Sequence, residues 1–171
     1  MKQLLLIVIF SLSFLSAGSD AEKMSVSVGI TETMGIFGMI NLNYNIDSWS
    51  NETNRYFITT GVFPIPFIGG AGIGWKRYFN SSRFSPYVSA TALGTYVLGF
   101  CQTDNCDSSA KLGAIISTSL GCDMQLIKSN KFNLHLQVGV LSQYNLTNLE
   151  VFESPSDEPG LWPVFNFKFY R

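Results

Sequence analysis

Apolar and polar residues alternate along much of this chain with a period of two. Residues 24–30 and 132–140 carry an apolar side chain at every even position, with Ser, Asn, His, Gln or Gly between them. Successive side chains of a β-strand point to opposite faces of its sheet, whereas residues on one face of a helix recur every 3.6 positions. The sequence therefore predicts a fold built from strands.

Eight runs of this kind follow one another along the chain. They span residues 24–30, 36–46, 55–63, 70–79, 85–100, 111–127, 132–140 and 162–171. The length of 171 residues is typical of a single domain. We therefore expect an all-β protein in which eight antiparallel strands follow an up-and-down order and close into one barrel.

Two kinds of barrel produce this alternation, and their polar faces distinguish them. In a soluble barrel the polar face meets water, whereas in a membrane barrel the apolar face meets lipid and polar residues line the interior. Charged residues make up only 13% of the chain, about half of the ~25% that is usual in soluble domains. The polar positions hold mainly Ser, Thr, Asn, Gln and Gly. This composition favours a transmembrane barrel; a soluble, secreted, lipocalin-like barrel that binds an apolar ligand is the alternative.

The N-terminus has the three parts of a secretory signal peptide. Lys2 provides a positive charge, residues 4–15 are apolar apart from two serines, and small residues follow up to Ala21. The apolar part is shorter than the ~20 residues that a membrane-spanning helix needs. We expect residues 1–21 to be removed on export and residues 22–171 to form the barrel.

The connections between the runs fall into two groups if the chain enters the barrel from the periplasm. The inner links are then 47–54, 80–83 and 128–131, and the outer links are 31–35, 64–70, 101–110 and 145–161. Outer-membrane barrels have short periplasmic turns and longer outer loops, with aromatic residues near both ends of the strands. Aromatic residues do cluster beside both groups of links. The two longest links, 101–110 and 145–161, are therefore predicted to face the exterior.

Two segments of the chain carry a family resemblance. Residues 70–88 (GAGIGWKRYFNSSRFSPYV) combine a glycine-rich strand, a polar turn and the motif SPYV, and residues 163–171 (PVFNFKFYR) form an alternating aromatic ending. They resemble the central hairpin and the C-terminal strand of the small bacterial outer-membrane β-barrel family, the eight-stranded OmpA/OmpX type. The resemblance implies a location in the bacterial outer membrane, contact with membrane lipid and lipopolysaccharide, and recognition of the last strand by the outer-membrane insertion machinery. It implies no single activity, because such barrels include anchors, adhesins, binding proteins and a few lipid-modifying enzymes.

His135 is the only histidine, so any histidine-based chemistry depends on it. If the hairpin around residues 128–131 pairs residues whose numbers sum to 258 or 260, His135 lies opposite Asp123 or Gln125 on the polar face. A Ser–His–Asp set is conceivable there, but Ser119 would lie roughly 13 Å along the strand from Asp123. We therefore expect no catalytic residue and, instead, a polar network in the lumen. Its predicted members are Asp123, His135, Lys76 and Lys168.

The three cysteines divide into two predicted roles. Cys101 and Cys106 enclose an outer loop, and in an oxidising compartment we expect them to form a disulfide. Cys122 falls on the apolar face of its run and is expected to be a small buried or lipid-facing residue. With one His and three Cys, the chain offers few metal ligands, and we predict no metal and no cofactor.

Charge and barrel size limit the function. The net charge of −1 and the absence of a basic stripe argue against nucleic-acid binding. The interior of an eight-stranded barrel is just wide enough for its own side chains, which argues against a general pore. We predict a non-enzymatic outer-membrane protein that is structural or binds an unidentified surface ligand through its outer loops. The alternatives are a lipid-modifying barrel enzyme that uses His135 and the soluble lipocalin-like barrel.

Overall fold

The structure, a computed structural model, describes residues 23–33, 39–51, 53–63, 68–97, 111–129, 132–147 and 160–170. The predicted signal peptide at 1–21 and the predicted disulfide between Cys101 and Cys106 lie outside these residues. Every regular element in the described part is a strand. The strands are β1 (Met24–Ile30), β2 (Ile40–Asn45), β3 (Asn54–Phe63), β4 (Ile68–Tyr78), β5 (Phe84–Val97), β6 (Lys111–Lys128), β7 (Asn133–Asn145) and β8 (Gly160–Tyr170).

The eight strands close into a single barrel. Each strand pairs with the next one along the chain in antiparallel orientation, and β8 pairs with β1 to complete the ring. The prediction of an all-β, eight-stranded antiparallel barrel is therefore confirmed. Closure gives every strand a neighbour on both sides and so removes the free edges of an open sheet.

Strand β7 departs most from the predicted bounds. It continues to Asn145, whereas the alternation predicted an end at Val140. The pattern broke there because Leu141 places an apolar side chain on the polar face of the strand. Leu141 is fully buried inside the barrel, opposite Ser119 of β6.

The hairpin of β6 and β7 sets the register of the polar residues near its turn. Asp123 pairs with Gln137, and Gln125 pairs with His135, so the numbers of each pair sum to 260. A β-bulge between Gln125 and Ile127 then shifts the register towards the turn. Asp123 and His135 are therefore diagonal neighbours on adjacent strands.

The polar faces of the strands line the interior, and the apolar faces point outward. Ile73, Leu120 and Phe165 are 63%, 64% and 51% exposed on the outside. The buried polar side chains that line the interior include Ser25, Ser27, Asn41, Asn43, Thr59, Ser89, Thr91, Ser117, Ser119 and Asn166. The alternation in the sequence thus becomes an apolar outer wall around a polar lumen.

Two aromatic rings fill the lumen opposite glycines. Phe57 of β3 pairs with Gly74 of β4, Tyr87 of β5 pairs with Gly121 of β6, and both aromatic side chains are buried. A Cβ atom at Gly74 would run into the ring of Phe57, and one at Gly121 would meet both the backbone oxygen of Val138 and the hydroxyl of Tyr87. The missing side chains therefore provide the space that the rings occupy.

Candidate functional site

Four charged side chains lie together inside the barrel, and we call them the lumen charge cluster. They are Glu32, Lys76, Asp123 and Lys168, and each is at most 5% exposed. Nζ of Lys76 lies 2.5 Å from Oε2 of Glu32 and 3.9 Å from Oδ2 of Asp123. Nζ of Lys168 lies 3.4 Å from Oε1 of Glu32. Two carboxylates and two ammonium groups balance to zero, and this pairing offsets the cost of removing them from water.

Glu32 reaches the cluster from the connection that follows β1. Thr31, Glu32 and Thr33, which we call the inserted segment, are each at most 3% exposed. The hydroxyl of Ser117 donates to the backbone carbonyl of Thr33 at 2.8 Å, and Nδ2 of Asn41 donates to the hydroxyl of Thr33 at 2.5 Å. The start of this predicted outer link therefore folds back into the lumen.

The sequence contains one signal for Glu32, which is the net charge of the predicted lumen residues. The predicted lumen residues Lys76, Lys168 and Asp123 carry one net positive charge. An unbalanced charge inside a narrow barrel is costly, so a second acid is needed, and Glu32 is the first acidic residue after β1. Burial by itself raises the pKa of the Glu32 carboxyl, but the neighbouring Lys76 and Lys168 outweigh burial and hold this pKa below its ordinary value.

Asp123 accepts hydrogen bonds from three side chains. Oδ2 accepts from Nε2 of Gln137 at 2.7 Å and from the hydroxyl of Tyr78 at 3.1 Å. Oδ1 lies 2.5 Å from Nδ1 of His135. We assign a proton to Nδ1 in this contact because the ionised carboxylate is an acceptor only. The carboxylate thereby fixes the orientation of the imidazole and leaves Nε2 as its second functional atom.

Tyrosine rings surround the two buried lysines. Nζ of Lys76 lies 3.6 Å from the ring centroid of Tyr87 and 5.1 Å from that of Tyr78, and Nζ of Lys168 lies 5.4 Å from that of Tyr170. The electron-rich ring faces attract ammonium groups that have lost water. Tyr78 and Tyr170 each follow a lumen lysine by two residues, so the alternation along the strand indicates that they also point inward. Neither is among the predicted members of the network.

A cavity of about 570 Å³ opens at the end of the barrel where the short turns lie. We call it the mouth cavity. Its lining includes Arg55, Tyr78, Asp123, His135 and Tyr170, together with residues of the turns. Asp123 also belongs to the lumen charge cluster, so the Asp123–His135 pair connects the closed interior with an opening.

Ser119 lies on the lumen face of β6, four residues before Asp123 along the strand. The hydroxyl of Ser119 shares a hydrogen bond of 2.7 Å with the hydroxyl of Ser89 on β5, away from His135 on β7. Within the described residues, no group of three or more His, Cys, Asp and Glu side chains is arranged to hold a metal ion. Cys122 is half-buried.

Comparison with known proteins identifies no relative. The chain matches no protein-family model, no curated protein and no solved structure. In the part of the chain that the structure describes, no helix is long and apolar enough to cross a membrane.

Proposed function

We propose that this protein is a non-enzymatic β-barrel of the bacterial outer membrane, exported by its N-terminal signal peptide, with a structural or surface-binding role. The orientation of its two faces carries the proposal. A soluble barrel turns its apolar face inward and its charged face to water. Here polar side chains are buried, while Ile73, Leu120 and Phe165 are more than half exposed. An apolar exterior around a polar interior is the pattern of a barrel that lipid surrounds.

The size of the exposed apolar set supports a lipid environment over water. Twenty-four large hydrophobic side chains of the described residues are exposed. Fully burying one such side chain stabilises a protein by about 1.5–3 kcal/mol, so leaving this set in water forgoes on the order of tens of kcal/mol. A typical domain has a net stability of only about 5–15 kcal/mol. Lipid would recover this free energy without any change to the barrel.

The height of the apolar wall also fits a bilayer. Phe84 and Tyr96 mark the two ends of the outward face of β5, twelve residues apart. Twelve residues of strand span about 40 Å, and a tilt of about 40° reduces this to roughly 30 Å along the barrel axis. The apolar band of such barrels is about 25 Å tall. The exposed rings near the turns are Tyr44, Trp49, Tyr56, Phe79, Phe84, Phe132 and Phe169, and those at the other end are Tyr96, Tyr144 and Trp162.

The filled lumen supports a role without bulk transport. The lumen charge cluster and the inserted segment fill part of it, and Leu93, Ile115 and Leu141 are buried farther from the short turns. An interior of this width has no room for a continuous aqueous channel beside these side chains. In the proposed function, recognition at the cell surface then depends on the connections that we propose to face the cell exterior.

Membrane fractionation of an expressing bacterium tests the proposal. We expect the protein in the outer-membrane fraction, and we expect its gel mobility to change on boiling because the folded barrel resists the detergent at room temperature. Recovery in the soluble fraction without detergent would overturn the proposal and favour the lipocalin-like alternative.

Deletion within the longest outer link tests the surface-binding role. Removal of residues 148–159 leaves the described ends of β7 and β8 intact, so we expect unchanged outer-membrane insertion and the loss of any adhesion or ligand capture by whole cells. A matched deletion within 101–110 serves as the comparison. Loss of the folded barrel in the first variant would contradict the assignment of this link to the surface.

A second candidate function rests on the Asp123–His135 pair. A carboxylate that orients a histidine at the edge of a cavity is an arrangement that general bases use. A lipid-modifying activity would then depend on His135. Lipid A from cells that carry His135→Asn would differ from that of the wild type if this function holds, and an unchanged profile would contradict it.

A further inference from the structure

One charged side chain interrupts the apolar outer wall of the barrel. Arg77 lies in β4 between Lys76 and Tyr78, which are both buried in the lumen, so Arg77 points outward, where it is exposed. Among the outward-facing strand positions that the structure describes, it is the only charged residue, since Arg55 and Lys128 line the mouth cavity. A charge in a lipid-facing wall is costly unless a polar partner meets it.

The protein itself supplies no such partner in the described residues. The guanidinium group of Arg77 makes no hydrogen bond, ion pair or ring contact with any of them. Its neighbours across the sheet are the uncharged Asn54 and Val88. Nδ2 of Asn54 donates within its own turn, to Oδ1 of Asn51 at 3.4 Å and to the hydroxyl of Thr53 at 3.2 Å. The N–H donors of Arg77 are therefore available to a group outside the protein.

Aromatic rings surround Arg77 on the outer face. Trp75 precedes it and Phe79 follows it by two residues, and Tyr56 pairs with Trp75. Phe79 and Tyr56 are 61% and 37% exposed. Such rings lie at the level of the lipid headgroups in a membrane. The aliphatic wall begins at Ile73, which is exposed and lies four residues, or about 13 Å of strand, from Arg77.

The charges at the end of the barrel where the short turns lie, which we call the turn end, favour an anionic ligand. Arg77, Arg83 and Lys128 are exposed there. The described acid on the outside of this end, Asp47, lies 3.0 Å from Nζ of Lys23. The described turn end therefore has an excess of positive charge. This excess attracts an anionic headgroup more than a zwitterionic one, whose own ammonium group offsets its phosphate.

We propose that Arg77 and the rings around it form a site for the phosphate group of an anionic phospholipid. The guanidinium group binds phosphate through paired, charge-assisted hydrogen bonds, while Trp75 and Ile73 contact the lipid below its headgroup. The inference rests on the proposed function, because only a barrel in a bilayer meets headgroups at this height. It adds to that function a preferred class of lipid and the residue that selects it.

Quenching of tryptophan fluorescence by brominated lipids tests the site, because Trp75 lies beside Arg77. Replacing Trp49 and Trp162 with Phe leaves Trp75 as the only tryptophan of the full-length chain. The protein is folded into vesicles with equal amounts of phosphatidylglycerol and phosphatidylcholine, and one lipid at a time is brominated. We expect phosphatidylglycerol to be preferred beside Trp75 about fivefold, the effect of one cation close to anionic lipid. Arg77→Gln is expected to abolish this preference.

Two further variants separate a site from net charge. Lys128→Gln is the matched control, because it removes one exposed positive charge from the same end of the barrel, but from the lining of the mouth cavity. We expect it to keep the preference. Arg77→Lys keeps the charge but loses the paired donors, so we expect an intermediate preference. In about 1 M salt, where the screening length is about 3 Å, the preference of the protein with Arg77 should also be lost.

The proposal is overturned if the two lipids quench Trp75 equally in the inserted protein, or if Arg77→Gln and Lys128→Gln reduce the preference equally. If Arg77→Gln does not insert, the salt measurement decides: a preference that persists in salt contradicts a contact between guanidinium and phosphate, and its loss supports the contact. Flotation with the vesicles and gel mobility before and after boiling report insertion and folding for every variant. Protein that stays soluble contradicts the membrane proposal as well, whereas inserted protein without a lipid preference contradicts this inference alone.

Discussion

At the scale of single residues, Asp123 holds the interior together. Its carboxylate accepts from Tyr78 and Gln137, contacts His135 at 2.5 Å and lies within ion-pair distance of Lys76. A side chain that satisfies several buried donors has a larger effect on stability when it is removed than any one of its contacts has by itself.

Asp123→Ala is therefore expected to lower the free energy of unfolding by about 3–5 kcal/mol, because it leaves buried donors and a buried cation without their acceptor. Urea titration of protein folded into lipid vesicles, followed by tryptophan fluorescence, measures the loss. Asp47→Ala is the control: its ion pair with Lys23 is exposed, and such pairs contribute less than ~1 kcal/mol. Equal losses for the two variants would contradict this role of Asp123.

The positions of Asp123 and His135 could be predicted from the sequence because the alternation along a strand and the register of a hairpin are local properties. Parity predicts that both side chains share the polar face, and the turn limits their register to two alternatives. The same reasoning does not reach Glu32, since a loop has no periodicity that shows where its side chains point. Only the charge balance of the lumen indicates that another acid is needed.

At the scale of elements, the strands fit together through pairs of a glycine and an aromatic ring. Phe57 covers Gly74 across β3 and β4, and Tyr87 covers Gly121 across β5 and β6. In each pair, one aromatic side chain fills a part of the narrow lumen in which two large side chains would clash. Alternation alone does not predict these pairs, because it reports the face of a residue but not the space in front of it.

Gly74→Ala is expected to destabilise the barrel by about 1–3 kcal/mol through overpacking against Phe57. Gly94→Ala is the matched control, since the nearest atom to its Cβ would be the carbonyl oxygen of Ala71 at 3.8 Å. We expect it to be neutral or to stabilise by about 0.5–1 kcal/mol, the usual gain of Ala over Gly in a strand. Phe57→Leu in the Gly74→Ala background should restore part of the loss; strict additivity of the two changes would argue against the overpacking.

At the scale of the whole molecule, the distribution of apolar surface bears on whether lipid or water surrounds the barrel. The period-two pattern predicts the number of strands, their antiparallel order and their closure, because all three follow from alternation and short links. It does not predict what fills the lumen. The inserted segment comes from a connection, and Leu93, Ile115 and Leu141 occupy positions that the pattern assigns to polar residues.

Introducing a charged residue on the outer wall tests whether lipid or water surrounds the barrel. Leu120 lies in the middle of β6 and is 64% exposed. In lipid vesicles, Leu120→Arg is expected to lower the free energy of unfolding by about 2–4 kcal/mol, and Leu126→Arg, near the turn, by about 0–1 kcal/mol. On a water-exposed surface both changes would stay within about 0.5 kcal/mol. Equal and small effects in the urea titration would therefore contradict the membrane proposal.

The position of Glu32 bears on how the ring is completed. β1 and β8 are the first and last strands, and Ser27 pairs with Lys168 where they meet, so the contact of Glu32 with Lys168 spans the junction that joins the two ends of the barrel. A slip of one residue at this junction would turn Lys168 to the apolar outer face and remove one of the two cations around Glu32. An incorrectly closed ring would therefore carry an electrostatic penalty that the native ring avoids.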